Sequence, residues 1–307
     1  VHAEVLDLPT LDDTQPAILA RIAVFAKPWP GAEAVWSSTD GETFQRVALA
    51  TIPATAGQTL DDLPAGPTAR WHNASFRVQL YGGTLSSVPD SAVLAGNNAA
   101  AVQRADGAWE VIQFANAELV GEDTYLLSRL LRGQAGSEWA MGAPLSADAP
   151  FVLLDRNVVS VASGPSLLER ALQLRIVAAN RDYGDPTAMT LEATPQATAL
   201  RPLAPVHIKA SRSVGGVTFT WVRRTRIDGD SWVGEVPLGE DGEQYAVDIL
   251  SGDSVLRALG ASTSGAFYAA DDEIADFGAP QPALTVRVTQ WSAIVGPGFS
   301  TTATLIP

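Results

Sequence analysis

The chain of 307 residues has no cysteine. That excludes disulfide staples, thiolate metal sites and a cysteine nucleophile. It leaves the compartment open, because a protein with a large core can do without disulfides. No run of about 18 apolar residues occurs, so no stretch reads as a membrane-spanning helix. Histidine is scarce: His2, His72 and His207 are scattered, and none has the i, i+4 partner of a zinc-binding helix. An initiator methionine and a basic-then-apolar leader are both missing from the start, Val1-His2-Ala3-Glu4. We read the chain as a piece of a longer polypeptide, with processing as the other option.

What is present suits a β-rich protein. Hydrophobic residues make up 46% and charged residues 18%, enough apolar content for a sizeable core, and 307 residues accommodate two or three domains. The 26 glycines and 20 prolines fit many short strands joined by tight turns. Net charge is -14. It is spread evenly: 13 Lys and Arg face 22 Asp and Glu through Leu203, and 7 face 12 beyond it. An evenly acidic chain repels phosphate backbones and anionic lipid, which argues against nucleic acid and membrane-surface partners.

Period-2 alternation is the dominant local signal. It runs through Val217–Trp221, Tyr245–Ile249 and Leu284–Trp291, and through Leu172, Leu174 and Ile176. Buried strands are expected at Ala17–Phe25, Phe76–Leu80, Ala99–Gln103, Trp109–Phe114 and Phe151–Leu154. Asp40-Gly41 and Asp106-Gly107 read as hairpin turns. Tyr125–Leu131 is ambiguous, because its four leucines also satisfy helical spacing and Arg132-Gly133 would end such a helix. The fold class expected is all-β, built of antiparallel β-sandwich domains, the last fibronectin type III-like. The expected organisation is 1–156, a β-rich extension 157–202 packing on it and ending in a linker near Pro195–Pro205, and 203–307 with a long insert at 223–242.

Reactive chemistry has little positive support. His72, beside Trp71 and Asn73, could be catalytic, but an isolated loop or strand histidine is the plainer reading. Asp228-Gly229-Asp230 and Asp271-Asp272-Glu273 supply hard oxygens, yet the first lacks the rest of a calcium loop and serves equally as turn chemistry. No Gly-x-Ser-x-Gly elbow frames Ser213, Ser262 or Ser264. Gly82-Gly83 and Gly215-Gly216 lack the Lys-Ser/Thr of a phosphate loop. No catalytic, cofactor-binding or metal-binding residue is therefore assigned.

Two contact features remain. Arg223, Arg224 and Arg226 either form an anion or glycan site facing Trp232, or pair with nearby acids and clamp the insert. The acidity of the chain favours the clamp. Trp29, Trp36, Trp71, Trp109, Trp139, Trp232 and Trp291 could be sugar platforms if exposed, against the alternative of core packing. Trp221 and Tyr245 are core by their place in the alternation. Trp29, between two prolines, and Trp232, in the insert, are the candidates for a surface or interface.

The segment from Trp221 to Trp232, Val236-Pro237-Leu238-Gly239-Glu240, Tyr245 and Ala275-Asp276-Phe277-Gly278 together resemble the C-terminal part of large tail-tip proteins of siphophages and of alphaproteobacterial gene transfer agents. Ser128-Arg129-Leu130-Leu131-Arg132-Gly133-Gln134-Ala135-Gly136-Ser137-Glu138-Trp139 is similar to that family's Leu-Leu-Arg-Gly-Gln-x-Gly-Thr-Glu signature. Ser37-Ser38-Thr39-Asp40-Gly41 resembles its Ser-x-Asp-Gly hairpin. The matches reach from about Leu6 to Leu305, and the family's upstream hub and barrel-like domains are missing. The resemblance implies a non-enzymatic virion component of the tail tip or baseplate without cofactors, a strand rather than a helix before Leu130, and threefold assembly. It also implies contacts with hub and distal tail proteins and with a host receptor or glycan. A carbohydrate-binding module using Trp232, Trp29 and Arg223, Arg224 and Arg226, and an envelope-degrading enzyme, are the rival expectations.

Overall fold

The structure, a computed structural model, describes residues 1–12, 18–66, 70–142, 144–229 and 236–307. The described residues form two compact units, one of residues 1–11 and 18–199 and one of residue 12 with 200–307. The first begins with strands β1 (His2–Leu6), β2 (Ile18–Phe25), β3 (Glu33–Ser38), β4 (Gln45–Ala50), β5 (Ala56–Thr59), β6 (Trp71–His72) and β7 (Phe76–Gly82). A short helix α1 (Asp90–Leu94) precedes β8 (Ala99–Gln103), β9 (Trp109–Gly121) and β10 (Thr124–Leu131). Strands β11 (Pro150–Leu153), β12 (Val159–Ser163), β13 (Leu172–Ala178) and β14 (Met189–Ala193) complete it.

Six of these strands close on themselves. The ladder runs β10-β7-β5-β11-β8-β9, and β9 pairs again with β10, so the ring is an antiparallel barrel with β6 appended to β10. Closure removes the open edges that would otherwise template association. Alternation decides what fills the barrel. Ile112 and Phe114 of β9, Leu127 and Leu130 of β10, Phe76, Val78 and Leu80 of β7, and Phe151 of β11 point into one buried cluster. The opposite faces of β8 and β9 carry Ala101, Trp109 and Val111, which pack with Leu6 and Ala23 of the β1-β2-β12 sheet. A third sheet, β14-β13-β3-β4, holds the hairpin predicted at Asp40-Gly41.

Leu126, Leu127, Leu130 and Leu131 lie on a strand, not a helix, since β10 is flanked by ladder partners on both sides that tertiary pairing supplies. Strand β9 continues beyond β8. Its last residues and the start of β10 form an exposed hairpin whose tip shows Leu119 and Val120 beside Glu118, Glu122 and Asp123. The region marked as a linker splits its loyalties: Gln196 N donates to Asp7 Oδ2 (2.5 Å) and Thr10 Oγ1 to the Ala199 carbonyl (2.8 Å) within the first unit. Farther on, Phe299 N donates to the Pro202 carbonyl (2.9 Å) within the second.

The second unit contains β15 (Val206–Ser213), β16 (Gly216–Val222), β17 (Tyr245–Ser251), β18 (Ser254–Ala261), β19 (Gly265–Ala269), helix α2 (Ala270–Phe277), β20 (Leu284–Ser292) and β21 (Gly296–Leu305). Sheet β15-β16-β19 faces sheet β18-β17-β20-β21 across Val217, Phe219, Trp221, Tyr245, Val247, Tyr268, Val286 and Val288. This three-on-four arrangement is a fibronectin type III-like sandwich. Trp221 meets Tyr245 edge-on with ring centroids 5.0 Å apart. The acids Asp271, Asp272 and Glu273 occupy the first turn of α2, where the helix dipole favours them, and Gly278 closes the helix in the left-handed conformation.

Candidate functional site

The signature Leu130-Leu131-Arg132-Gly133-Gln134 closes one end of the barrel. Leu130 enters the barrel core, while Leu131 turns outward against Val93 and Ala115. Arg132 then falls on the inward side, as does Glu110 two residues before Ile112. Both side chains are 0% exposed. Arg132 Nε donates to Glu110 Oε1 (2.5 Å) and Nη2 to Oε2 (2.6 Å), while Nη1 donates to the Pro64 carbonyl (2.9 Å). A planar fork matched to a carboxylate is what makes such a dry pair tolerable. Gly133 N adds a bond to Glu110 Oε1 (3.2 Å).

The turn that follows demands glycine at 133, where φ is +59° and a Cβ would lie 2.4 Å from Met141 Sδ and 2.8 Å from Glu138 Cα. Gln134 Nε2 donates to the Arg132 carbonyl (2.8 Å), and Ser137 Oγ donates to the Gln134 carbonyl (2.8 Å) while accepting from Val111 N (2.9 Å). Arg132, Gly133 and Ser137 thus tie the end of β10 and its turn to β9. The Ser-x-Asp-Gly stretch is a self-contained turn of the same kind. Asp40 Oδ1 accepts from Ser38 Oγ (2.7 Å), Glu42 N (2.9 Å) and Thr43 N (2.8 Å). Those bonds, the Thr43 amide first, lower its pKa from 3.8 to about 2.

In the insert, Arg223 donates from Nη1 to the Pro237 carbonyl (2.6 Å) and from Nη2 to the Val236 carbonyl (2.8 Å). Arg226 Nη2 reaches the Gly239 carbonyl and Glu240 Oε1, each at 3.1 Å. Arg224 is half-buried, and desolvation pulls its guanidinium below the ordinary value. Arg223 and Arg226 therefore act inside the insert, bridging its two ends. Trp232, Asp230 and Glu235 lie outside the described residues. Trp29 is half-buried, with its indole nitrogen unbonded among the described residues.

Of the contact candidates, Trp29 belongs to the first unit and the arginines to the second. Trp36 packs on Tyr183 (5.2 Å), Trp71 lies under Arg129 (4.5 Å), and Trp109 is buried. Among the described indoles, Trp291 alone is clearly exposed, at 42%. His72 is buried in β6.

A second polar cluster gives the acids of α2 partners that the sequence did not show. On α2, Glu273 accepts from Arg212 Nη1 (2.7 Å) and Nη2 (3.0 Å) and from Gln281 N (2.8 Å), and its pKa is lowered, chiefly by Arg212. Asp276 accepts from Arg257 Nε (2.7 Å) and the Tyr268 hydroxyl (2.8 Å). Its pKa is lowered, chiefly by Arg257, and Tyr268 is pushed up, chiefly by burial. Arg212 and Glu273 are 61 residues apart and Arg257 and Asp276 are 19 apart, so no local pattern announces either pair. Among the described residues, no three His, Asp or Glu are grouped to hold a metal, and no helix is long and apolar enough to cross a membrane.

Residues 54–152 match the model of a family described as Rcc01698-like, C-terminal, about a third of the chain and nearly the span of the barrel. The comparison with curated proteins finds no match. Among solved structures, the rat CD45 extracellular region, domains d3–d4, overlaps with 13% identity over 49% of this chain and 71% of that one, at a TM-score of 0.26. The chicken interferon gamma receptor alpha chain overlaps with 9% identity over 82% of this chain and 97% of that one, at 0.25. At these scores the overlaps add nothing to the fold derived from strand pairing.

Proposed function

We propose that this chain is a non-enzymatic structural component of a phage or gene-transfer-agent tail tip or baseplate, contributing to host attachment and to closure of the tail tube. The observation that carries this reading is the barrel mouth. Residues 128–139, one of the stretches that carry the resemblance, fall within the matched span 54–152; the stretches between Trp221 and Gly278 and that at 37–41 lie outside it. Within this stretch Arg132 and Ser137 tie the end of β10 and the turn after it to β9, a scaffold's use of polar groups. The clamped insert and the ion pairs of α2 use arginine in the same way.

In such a particle the units act mechanically. Rigid β layers pack against sister copies, as a trimer, and against hub and distal tail proteins, and present loops to a host receptor or glycan. Symmetry multiplies weak contacts into firm attachment. Immunogold labelling of purified particles with antibody against this chain tests the assignment. Gold at the distal tail end is the expected result, and particles free of label would overturn it. Release of soluble fragments from purified cell walls by the chain would instead favour an envelope-degrading enzyme.

A further inference from the structure

The outer face of the β18-β17-β20-β21 sheet carries an open groove of about 480 Å³ lined by Gln244, Tyr245, Gly260, Ala261, Ser262 and Trp291. Its construction follows from register. Tyr245 stands opposite Ala261 on one side and Gln290 on the other, and all three face the sandwich interior or its rim. Their neighbours Ser262, Gln244 and Trp291 therefore form one row across three strands on the opposite face, tied by Trp291 N donating to the Gln244 carbonyl (2.9 Å). The next row, Gly260, Ala246 and Thr289, is small. A Cβ on Gly260 would meet nothing within 4 Å, so the floor is open.

The result is a trough with an exposed indole for a wall, a floor left open at Gly260, and an amide and a hydroxyl at its end. From this we infer that the groove binds a neutral saccharide, one sugar ring against Trp291 with its hydroxyls toward Gln244 and Ser262. The electron-rich face of an indole attracts the polarised C–H edges of a pyranose, and a few placed polar groups orient it. None of the lining side chains is charged, and the chain carries -14, so acidic polysaccharides are repelled and uncharged ones are not. An apolar protein partner would find one indole on this row and no aliphatic cluster beside it. The volume falls in the ~300–1,000 Å³ range of small-molecule sites.

The inference stands on the groove and not on the tail-tip assignment; saccharide binding and presence in a particle are read by separate experiments. Titration calorimetry with the full chain tests it, using tetramers of β-1,4-linked N-acetylglucosamine, β-1,4-linked glucose and α-1,4-linked glucose as probes. At least one tetramer is expected to bind. Trp291→Ala should weaken that binding at least about tenfold, and Gly260→Leu, which fills the floor, should do the same, with melting curves unchanged because both positions are exposed. Val214→Ala, at a fully exposed turn of the other sheet, should bind as the parent does. Failure of all three tetramers to bind the parent chain, or undiminished binding by both groove variants, overturns the proposal.

Discussion

The barrel mouth and helix α2 both join an arginine to a carboxylate in a two-pronged bond, yet the two pairs sit in different media. Arg132 and Glu110 are 0% exposed, whereas Arg257 keeps 31% and Asp276 12%. In the first, desolvation is complete, and the pair is tolerable only because each oxygen and each donor has a partner. In the second, water shares the solvation, so removing one partner leaves a group that can still be hydrated. The comparison teaches that identical chemistry serves as a core component in one unit and as a surface brace in the other.

The largest expected effect breaks the dry pair. Arg132→Ala strands a buried carboxylate and should cost about 3–5 kcal/mol, read as loss of the first unit's urea transition. Replacing both partners, Arg132→Met with Glu110→Leu, should cost far less than the single change, and equal losses would contradict the desolvation argument. An intermediate effect is expected from Arg212→Ala. Glu273 is nearly buried and would keep only the Gln281 amide, a loss of about 1–3 kcal/mol in the second unit's melt.

Arg226→Ala should be smaller still and local, speeding amide exchange at 239 and 240 while the sandwich melts as before. The smallest effect is expected at Asp40. Its folded pKa is lowered from 3.8 to about 2, so the turn's support is complete above about pH 4 and is lost as pH falls through 2. Asp40→Asn should flatten that stretch of the stability–pH curve.

Strand positions were legible because alternation is local: Leu172, Leu174 and Ile176 announce their buried face without any partner in view. Closure of the barrel was not, since nothing in Trp109–Phe114 or Tyr125–Leu131 says that these two strands complete a ring. At Asp271-Asp272-Glu273 the sequence offers hard oxygens and does not announce helix α2, because three successive acids look alike at a helix start and in a loop. The clamp at Arg223 and Arg226 was one of two readings, and its carbonyl partners could not be told from sequence. Trp291 illustrates the limit in the other direction. Alternation puts it opposite Val288 and Gln290, but only the strand order reveals that no strand packs on the face it occupies among the described residues.

The exposed end of the β9–β10 hairpin has a consequence for the behaviour of the protein in solution. Beyond Ala117 the outer edge of β9 has no strand beside it among the described residues, and it carries Leu119 and Val120 toward solvent. Such an edge is a template for another chain. The carboxylates of Glu118, Glu122 and Asp123 crowd that same tip, so two copies approaching edge to edge meet repulsion before backbone pairing can begin. Colloidal stability of concentrated material should accordingly weaken as salt shortens the reach of that repulsion.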